Sequence, residues 1–463
     1  MKQLHRIAPL FFLIMIVEMS CQSDNKKAET ETLSKPVRLV TIDPGHFHAA
    51  LVQKTAYDDV DSTVFVYAPD GNDLKLHLDR INGYNSRKES PTNWKEEVYT
   101  GTDFFEKMIA EKRGNVIVLS GNNDKKTEYI LKALESGFNV LADKPMAITP
   151  ADFVQLEKAF KVAKEKNLLL YDIMTERFEI NSILQKEISL IPEIFGSLEK
   201  GSLNNPAVEI SSDHCFYKYV SGNVLTRPAW FFDVSQQGEA IVDVATHLVD
   251  LVQWGCFPEQ VIDQTKDISI LDAKRWPTML TASQFKLITK LDTIPSYLKD
   301  NFANDTTLAI YSNGEINYTL KGVHAKVVAK WNYTSESGGD SHYSMMRGTK
   351  SNLVMRQGKE EHYKPVLYIE PVKNDATSQS IIAESFKKIS TKYPGVELYK
   401  TNKGWSVKLP GNLVEGHEAH FARVTINFLE YLKKRNMPAW EVPNMLTKYY
   451  TTTKALEIAS KKK

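Results

Sequence analysis

Short apolar runs of strand length alternate with stripes of helical spacing over the first third of the chain. Val37 to Ile42 is a buried-strand run, followed by the turn Asp43-Pro-Gly-His-Phe-His48 and a helix starting near Ala49. Thr63 to Ala68 is the next strand, and a polar, helix-prone stretch then runs to Lys95. Glu97 to Thr100 predicts a short third strand, Asp103 to Lys112 a helix, and Val116 to Leu119 the fourth strand. Thr127 to Ser136 sets Ile130, Ala133 and Leu134 on one helical face, and Gly137 stands where a left-handed C-cap is wanted. Phe138 to Leu141 is again a buried strand, with Asp143-Lys144-Pro145 at its carboxyl end. Thr149-Pro-Ala-Asp152 is a capped helix start, continued by Phe153, Leu156, Phe160 and Ala163, and Leu168 to Tyr171 is one more strand. This alternation predicts a Rossmann-like, doubly wound parallel sheet over residues 37–172.

After Asp172 the pattern changes. Thr307 to Tyr311, Glu315 to Leu320 and His324 to Trp331 alternate as antiparallel strands with one wetter face do. Residues 173–463 are therefore expected to form an α+β domain with a mixed, largely antiparallel sheet. Lys364 to Pro410 reads as an insertion holding a strand, a helix (Ser378 to Thr391) and a hairpin. The tail from Glu415 to Ser460 is mostly helical, broken near Pro438 and Pro443.

At 463 residues two domains are the prior. A chain that is 42% hydrophobic and 25% charged, with a net charge of +1, shows no global pull toward nucleic acid or an anionic membrane. The first 21 residues look different. Lys2 and Arg6 form a basic region, Ala8 to Val17 an apolar one too short to span a bilayer comfortably, and Ser20-Cys21 resembles the lipobox of bacterial lipoproteins. Residues 1–21 are thus expected to be a signal peptide, Cys21 a lipid anchor in the cell envelope facing the periplasm or the outside, and 22–36 a polar tether. Cys215 and Cys256 remain, as one disulfide or two free thiols.

Two constellations carry candidate chemistry. Lys144, fixed at a strand's carboxyl end, can place a cation beside a cofactor and substrate. The turn at Gly45 stands where a dinucleotide fold places G-x-G-x-x-G; Gly45 keeps the second glycine, while Asp43 and His48 replace the first and third. Gly45, His46, His48, Asn122, Lys144 and Pro145 are the candidate cofactor residues, with Asp70 the candidate acid for the ribose. Asp43, His46 and His48 also read as metal ligands of a hydrolase. Further on, Asp243, His247, Asp250 and Trp254 share one stripe of a helix whose other faces are apolar, and a carboxylate beside His247 suits a general acid/base.

Gly137 to Ala147, Glu176-Arg-Phe178, and Trp230 followed by Gln237 to Trp254 together resemble the glucose–fructose oxidoreductase / inositol dehydrogenase / rhizopine-catabolism family, in order and spacing over roughly residues 37–260. The resemblance implies NAD or NADP as cofactor, redox chemistry on sugars, cyclitols or polyols, and a homo-oligomer. It places Lys144, Asp243 and His247 at the reacting carbon, His247 taking the hydroxyl proton and Asp243 orienting it. Asp143 departs from the family glutamate, and Gln237 stands in a glycine-rich turn. Free NAD(P) is scarce outside the cytoplasm, so an exported enzyme points to a tightly held cofactor. Three functions stay open: net oxidation of a carbohydrate, transient oxidation that activates a glycosidic bond for elimination, and a non-catalytic carbohydrate-binding lipoprotein on a degenerate dehydrogenase scaffold. The only membrane contact expected is the lipid anchor.

Overall fold

A computed structural model describes residues 36–462, apart from 221–222, 305 and 336–338. Cys21 and the leader lie outside the described residues. Among those residues no helix is long and apolar enough to cross a membrane.

The first domain is built as the apolar runs dictate. β1 (Leu39–Ile42), α1 (His48–Val52), β2 (Thr63–Tyr67), α2 (Asn72–Ser86), β3 (Lys95–Tyr99), α3 (Phe104–Glu111), β4 (Val116–Leu119), α4 (Lys126–Glu135), β5 (Asn139–Asp143), α5 (Pro150–Glu165) and β6 (Leu170–Ile173) follow in turn. The six strands form a parallel sheet in the order 3-2-1-4-5-6. The order reverses between β1 and β4, which opens a crevice at the strands' carboxyl ends, the place where such sheets bind ligands. β1 and β4 are buried throughout, the mark of a strand covered on both faces. Thr149 caps α5, accepting from the Asp152 amide while the Asp152 carboxylate accepts from the Thr149 amide.

The second domain carries a larger mixed sheet. β7 (Val208–Cys215), β8 (Ile268–Thr281), β9 (Thr307–Leu320), β10 (Val323–Asn332), β11 (Ser341–Arg347), β12 (Ser351–Gln357), β13 (Val366–Pro371), β14 (Glu397–Thr401) and β15 (Gly404–Lys408) lie in the order 8-9-10-7-11-12-13-15-14, with a short strand, Phe302–Asn304, beside β9. Only β7 and β10 pair in parallel; the other pairs are antiparallel. α6 (Ile180–Ser189) and α7 (Val244–Cys256) cover its inner face.

Two differences from the expected layout have physical causes. The two strands expected at 307–311 and 315–320 are one strand, β9. Gly314 does not turn the chain; a Cβ there would lie 2.7 Å from Ile241 Cβ, so glycine serves close packing of the segment before α7. The insertion supplies β13, β14 and β15 and thus extends the sheet's edge. Its two helices, Ala376–Ser385 and Lys387–Lys392, bury Ile382 and Ile389 with Leu184, Leu353 and Leu367 in a small core of their own.

The 172/173 boundary divides the sheets but not the cores. The tail forms α8 (His417–Lys434) and α9 (Glu441–Lys461), and Phe421, Val424, Phe428, Leu432, Met445 and Tyr449 pack into the nucleotide-domain core. α9 goes on to bury Ala455 and Ala459 in the second domain's core. A buried ionic cluster pins this joint. Arg177 holds Asp250 through two bonds of 2.6 and 2.7 Å and Glu441 through two of 3.1 and 3.0 Å. Lys448, fully buried, lies 2.7 Å from Asp172 and 2.8 Å from Asp250. Burial alone would raise the Asp250 pKa, but Arg177 and Lys448 outweigh it and hold the carboxyl below its ordinary range.

Candidate active site

The carboxyl ends of β1, β4 and β5 meet the segment leading into α7, and the charged side chains converge there. Asp143 ends β5, so its side chain and that of Lys144 point into the crevice region. Lys144 Nζ lies 2.5 Å from Asp243 Oδ1, which makes a buried ion pair between the two domains. Gln237 Nε2 donates to the other Asp243 oxygen at 3.0 Å. Gln237 thereby finds a use in the turn where the family pattern has glycine.

Asp243 does not orient His247. It precedes the first helical residue of α7, and both its oxygens are taken by Lys144 and Gln237. The single stripe expected from helical spacing is also split. Asp250 turns to Arg177 and Lys448, and Trp254 lies under Lys186 Nζ at 4.0 Å from the ring centroid. His247 stays near Lys144: burial first, then the charges of Lys144 and His417, hold it neutral well below the ordinary histidine range. Its Nδ1 is buried with no hydrogen-bond partner among the described residues.

The turn 43–48 is tightly built. The Gly45 amide donates to Asp43 O at 2.8 Å and the His46 amide to Ser120 O at 3.3 Å. These amides are thus engaged, unlike those of a glycine-rich loop, and α1 behind them is only five residues long. Gly45 faces the second domain: a Cβ there would lie 3.1 Å from Asp73 Oδ2 and 3.2 Å from Trp230 Cζ2, and Trp230 Nε1 donates to that same Asp73 oxygen at 2.8 Å. Asp70 is exposed after β2, so Asp73 is the acid that reaches the turn. Burial, with help from Asp73, pushes the Asp43 carboxyl up to about 6. Asn122 Nδ2 bonds Gln236 Oε1 at 2.6 Å across the domains, and Pro145 is buried behind Lys144.

Asp143 is the busiest group. Its Oδ2 accepts from His48 Nδ1 and from Ser120 Oγ, each at 2.9 Å, and its Oδ1 from the Lys144 amide at 3.0 Å. Burial would raise its pKa, but His48, Lys126 and His46 hold it well below the ordinary value. His46, His48 and Asp143 donor atoms lie within 4.8 Å of one another, so Asp143, rather than the expected Asp43, completes any ligand set with the two histidines. Lys126 Nζ sits on the Asp143 carbonyl at 3.2 Å, and burial lowers its pKa to about 8. The Lys126 ammonium beside Asp143 opposes a dication there.

The sequence reading missed three members of the site. His417, from α8, stacks toward His48 with centroids 5.8 Å apart and lies 3.6 Å from Glu176. Burial, then Glu179, raises the Glu176 carboxyl to about 7. Lys126 and Asp73 stand in first turns of helices that follow strand ends, which was a usable signal. His417 carried none beyond His417-x-x-His420, because tail residues enter a site only through the tertiary fold. Cys215 and Cys256 are both free thiols.

Residues 76–171 match the family model described as "Oxidoreductase family, NAD-binding Rossmann fold", and residues 184–460 match "Putative oxidoreductase C terminal domain". A solved structure described as "a putative oxidoreductase from Parabacteroides merdae" is 54% identical, with a TM-score of 0.90, covering 93% of this chain and 99% of its own. The chain belongs to the glucose–fructose oxidoreductase / inositol dehydrogenase / rhizopine-catabolism family. This member of the family is an oxidoreductase with an NAD-binding Rossmann domain. More distant structures share the fold: levoglucosan dehydrogenase in complex with NADH and levoglucosan (13% identity, TM-score 0.59, covering 93% of this chain and 98% of that one), and KijD10, a 3-ketoreductase from Actinomadura kijaniata, in complex with NADP (14%, 0.55, 92% and 98%). No curated protein matches the chain.

Gly45 lies directly under Asp73 and Trp230, and its lack of a side chain permits that close approach. The site fits the dinucleotide of this family at one point. Asn123 Oδ1 and His247 Nδ1 are buried polar atoms with no partner among the described residues, which a ligand's donors can satisfy. A second glycine sets the crevice itself. A Cβ on Gly121 would lie 2.1 Å from Asp43 O, so Gly121→Ala must push the β1 and β4 loops apart. Overpacking of this kind costs about 1–3 kcal/mol, and the expected outcome is a lowered melting temperature together with loss of bound dinucleotide, read by absorbance of the released cofactor. Unchanged melting and cofactor content would show the loops to be pliant.

Proposed function

We propose that the protein oxidises or reduces a hydroxyl-bearing carbon of a carbohydrate or related polyol, with NAD or NADP held in the β1–β4 crevice. A bound nicotinamide supplies the hydride acceptor or donor. Lys144 and Pro145, Gly45, His46, His48 and Asn122 are the residues that would hold it, with Asp70 or Asp73 toward the ribose. Lys144 stabilises the substrate oxygen, held in place by Asp243. His247, on the helix tied to Lys144 through Asp243, exchanges the hydroxyl proton. The ion pair of Lys144 with Asp243 across the domains is the observation that carries this reading, because it fixes a cation at the strand end and ties it to the helix bearing His247. The sugar dehydrogenase and the ketoreductase among the fold's neighbours favour a carbohydrate substrate.

The test is chemical. Protein denatured after purification should release a stoichiometric dinucleotide, and sugars or glycosides should change the nicotinamide absorbance. Absence of both, with carbohydrate binding retained, would instead support the scaffold reading, which the engaged amides of the turn 43–48 favour.

We also propose that Cys21 is lipidated and holds the protein to a bacterial envelope membrane. Cys21→Ala should move the protein from the membrane to the soluble envelope fraction, and a wild-type protein found soluble there would refute the anchor.

A further inference from the structure

We infer that Ser212, His214 and Asp340 form a second catalytic site, a nucleophile, base and carboxylate that cleave a short acyl ester of a carbohydrate. The inference goes beyond the redox reading; only the choice of a sugar as the alcohol rests on that reading. Three side chains carry it, bonded in a row. Ser212 Oγ lies 2.9 Å from His214 Nε2, and His214 Nδ1 lies 3.1 Å from Asp340 Oδ2. A serine nucleophile needs this order: a base on its hydroxyl, and a carboxylate on the far nitrogen of the base.

The strands dictate the arrangement. Ser212 and His214 are two residues apart on β7, so both side chains leave the face of the sheet that Val208 and Ile210 turn to the core. β11 runs antiparallel beside β7, with His342 opposite Ser212 and Ser341 opposite Asp213. Asp340, next in that register, therefore arrives beside His214. The Cys215 amide donates to Asp340 Oδ1 at 3.1 Å, and Lys218 Nζ to Oδ2 at 2.7 Å. Burial would raise the Asp340 pKa, but His214 and Lys218 hold it below the ordinary carboxylate range. An ionised carboxylate only accepts, so the imidazole proton sits on Nδ1 and Nε2 is left to take the serine's. Trp331 stacks on the ring with centroids 5.0 Å apart and fixes its plane. The His214 side chain is 23% exposed, so solvent reaches the row at this end. Lys218 also acts by charge on His417, which puts the row near the cleft between the domains.

As His214 Nε2 takes the hydroxyl proton, Ser212 Oγ bonds the ester carbon and the C=O electron pair moves to its oxygen. The pair then returns, the bond to the alcohol oxygen breaks, and that oxygen takes the proton from His214. Water adds to the acyl-serine by the same route, with His214 taking and returning the proton, and the carboxylic acid leaves. One ester and one water give an alcohol and an acid. His342 stands next to Ser212, and its Nε2 is buried with no partner among the described residues. Burial lowers the His342 pKa to about 4, so the ring is neutral and its Nε2 can carry a proton to donate to the oxyanion. Further along the same face, Ile210 and Ser344 line a cavity of about 10 Å³ with Met346 and Met355, room for one water-sized group. A methyl matches that space and a longer chain does not, which makes the acyl group an acetyl. Hydride transfer needs a free hydroxyl, and removal of an acetyl group from a sugar supplies one.

The full-length protein is tested with p-nitrophenyl acetate, glucose pentaacetate and a fluorophosphonate that labels activated serines. Wild type should hydrolyse both esters at least about 100-fold faster than buffer, the lower range for a positioned base. It should also take up one fluorophosphonate, mapped to Ser212 by mass spectrometry. Ser212→Ala removes a single oxygen; it should lose the label and about 100-fold or more of the hydrolysis, with the melting temperature unchanged within a few degrees. His214→Gln and Asp340→Asn should each lose a comparable factor, the second because an amide can place the imidazole proton on Nε2. The label on wild type decides the matter even where a variant does not fold. A bond that only braces the strand gives no label and a lowered melting temperature in Ser212→Ala. That result, a label elsewhere, or full hydrolysis by Ser212→Ala overturns the site. Hydrolysis of the nitrophenyl ester alone overturns the sugar as the alcohol. No readout involves the nicotinamide, so failure here leaves the oxidoreductase reading standing.

Discussion

Lys448→Met should lower the stability of the folded protein by about 3–5 kcal/mol, the usual cost of removing one partner from a buried ion pair. Lys448 is 0% exposed and sits between Asp172 and Asp250, so its loss leaves a carboxylate from each side of the joint short of a counter-ion. Tyr449 donates to Asp172 at 2.9 Å and Arg177 still serves Asp250, which keeps the loss from being larger. The sign with pH follows. Asp250 has a folded pKa below its unfolded value, so its contribution is present above the unfolded value of about 4 and is lost as pH falls toward the folded one. Chemical denaturation at pH 7 measures the change. Lys448→Met combined with Asp172→Asn should recover part of the loss, and a single variant as stable as wild type would show that water reaches the cluster.

Lys144→Met should lower turnover by roughly two to four orders of magnitude, the range for groups that handle a proton or a developing charge. Its Nζ is the cation at the end of β5, and methionine keeps much of the side chain's bulk while removing that charge. Asp243 then loses its ion pair but keeps Gln237, so the fold and the bound dinucleotide should persist. His247→Ala should cost a similar factor. If the two act on one substrate oxygen, the double variant loses much less than the product of the single losses. Single-turnover kinetics on the three variants, with cofactor content measured alongside, decides the matter; wild-type turnover in Lys144→Met would place the chemistry elsewhere.

The nucleotide sheet was legible because each buried strand is a short apolar run and each helix carries its own stop and start, such as Gly137 and Thr149-Pro150. Lys144 was legible for the same reason, as a strand-end residue. The larger sheet was less so. Its strands alternate only weakly, and glycine within one of them, Gly314, looks the same in sequence whether it turns the chain or admits a neighbour. The helix stripe of Asp243, His247 and Asp250 misled in a definite way. Periodicity gives the angle of a residue around an axis, but not what stands opposite, and Arg177, Lys448 and Lys144 lie opposite on three different elements. His417 could not be placed, since the tail's return to the first domain is written in no local pattern.

The return of α9 also sets an order of events in the making of the protein. Translation delivers Asp172, Arg177 and Asp250 long before Glu441 and Lys448, so the carboxylates of the joint stay without their full set of counter-ions until the last helix docks. A chain that stops short of α9 should therefore lack Glu441 and Lys448, two of the groups that bind the halves together. Trimming the chain after residue 440 should leave a protein whose nucleotide domain exchanges its core amide hydrogens freely, whereas protection equal to that of the full chain would show that the domain closes without waiting for its final helix.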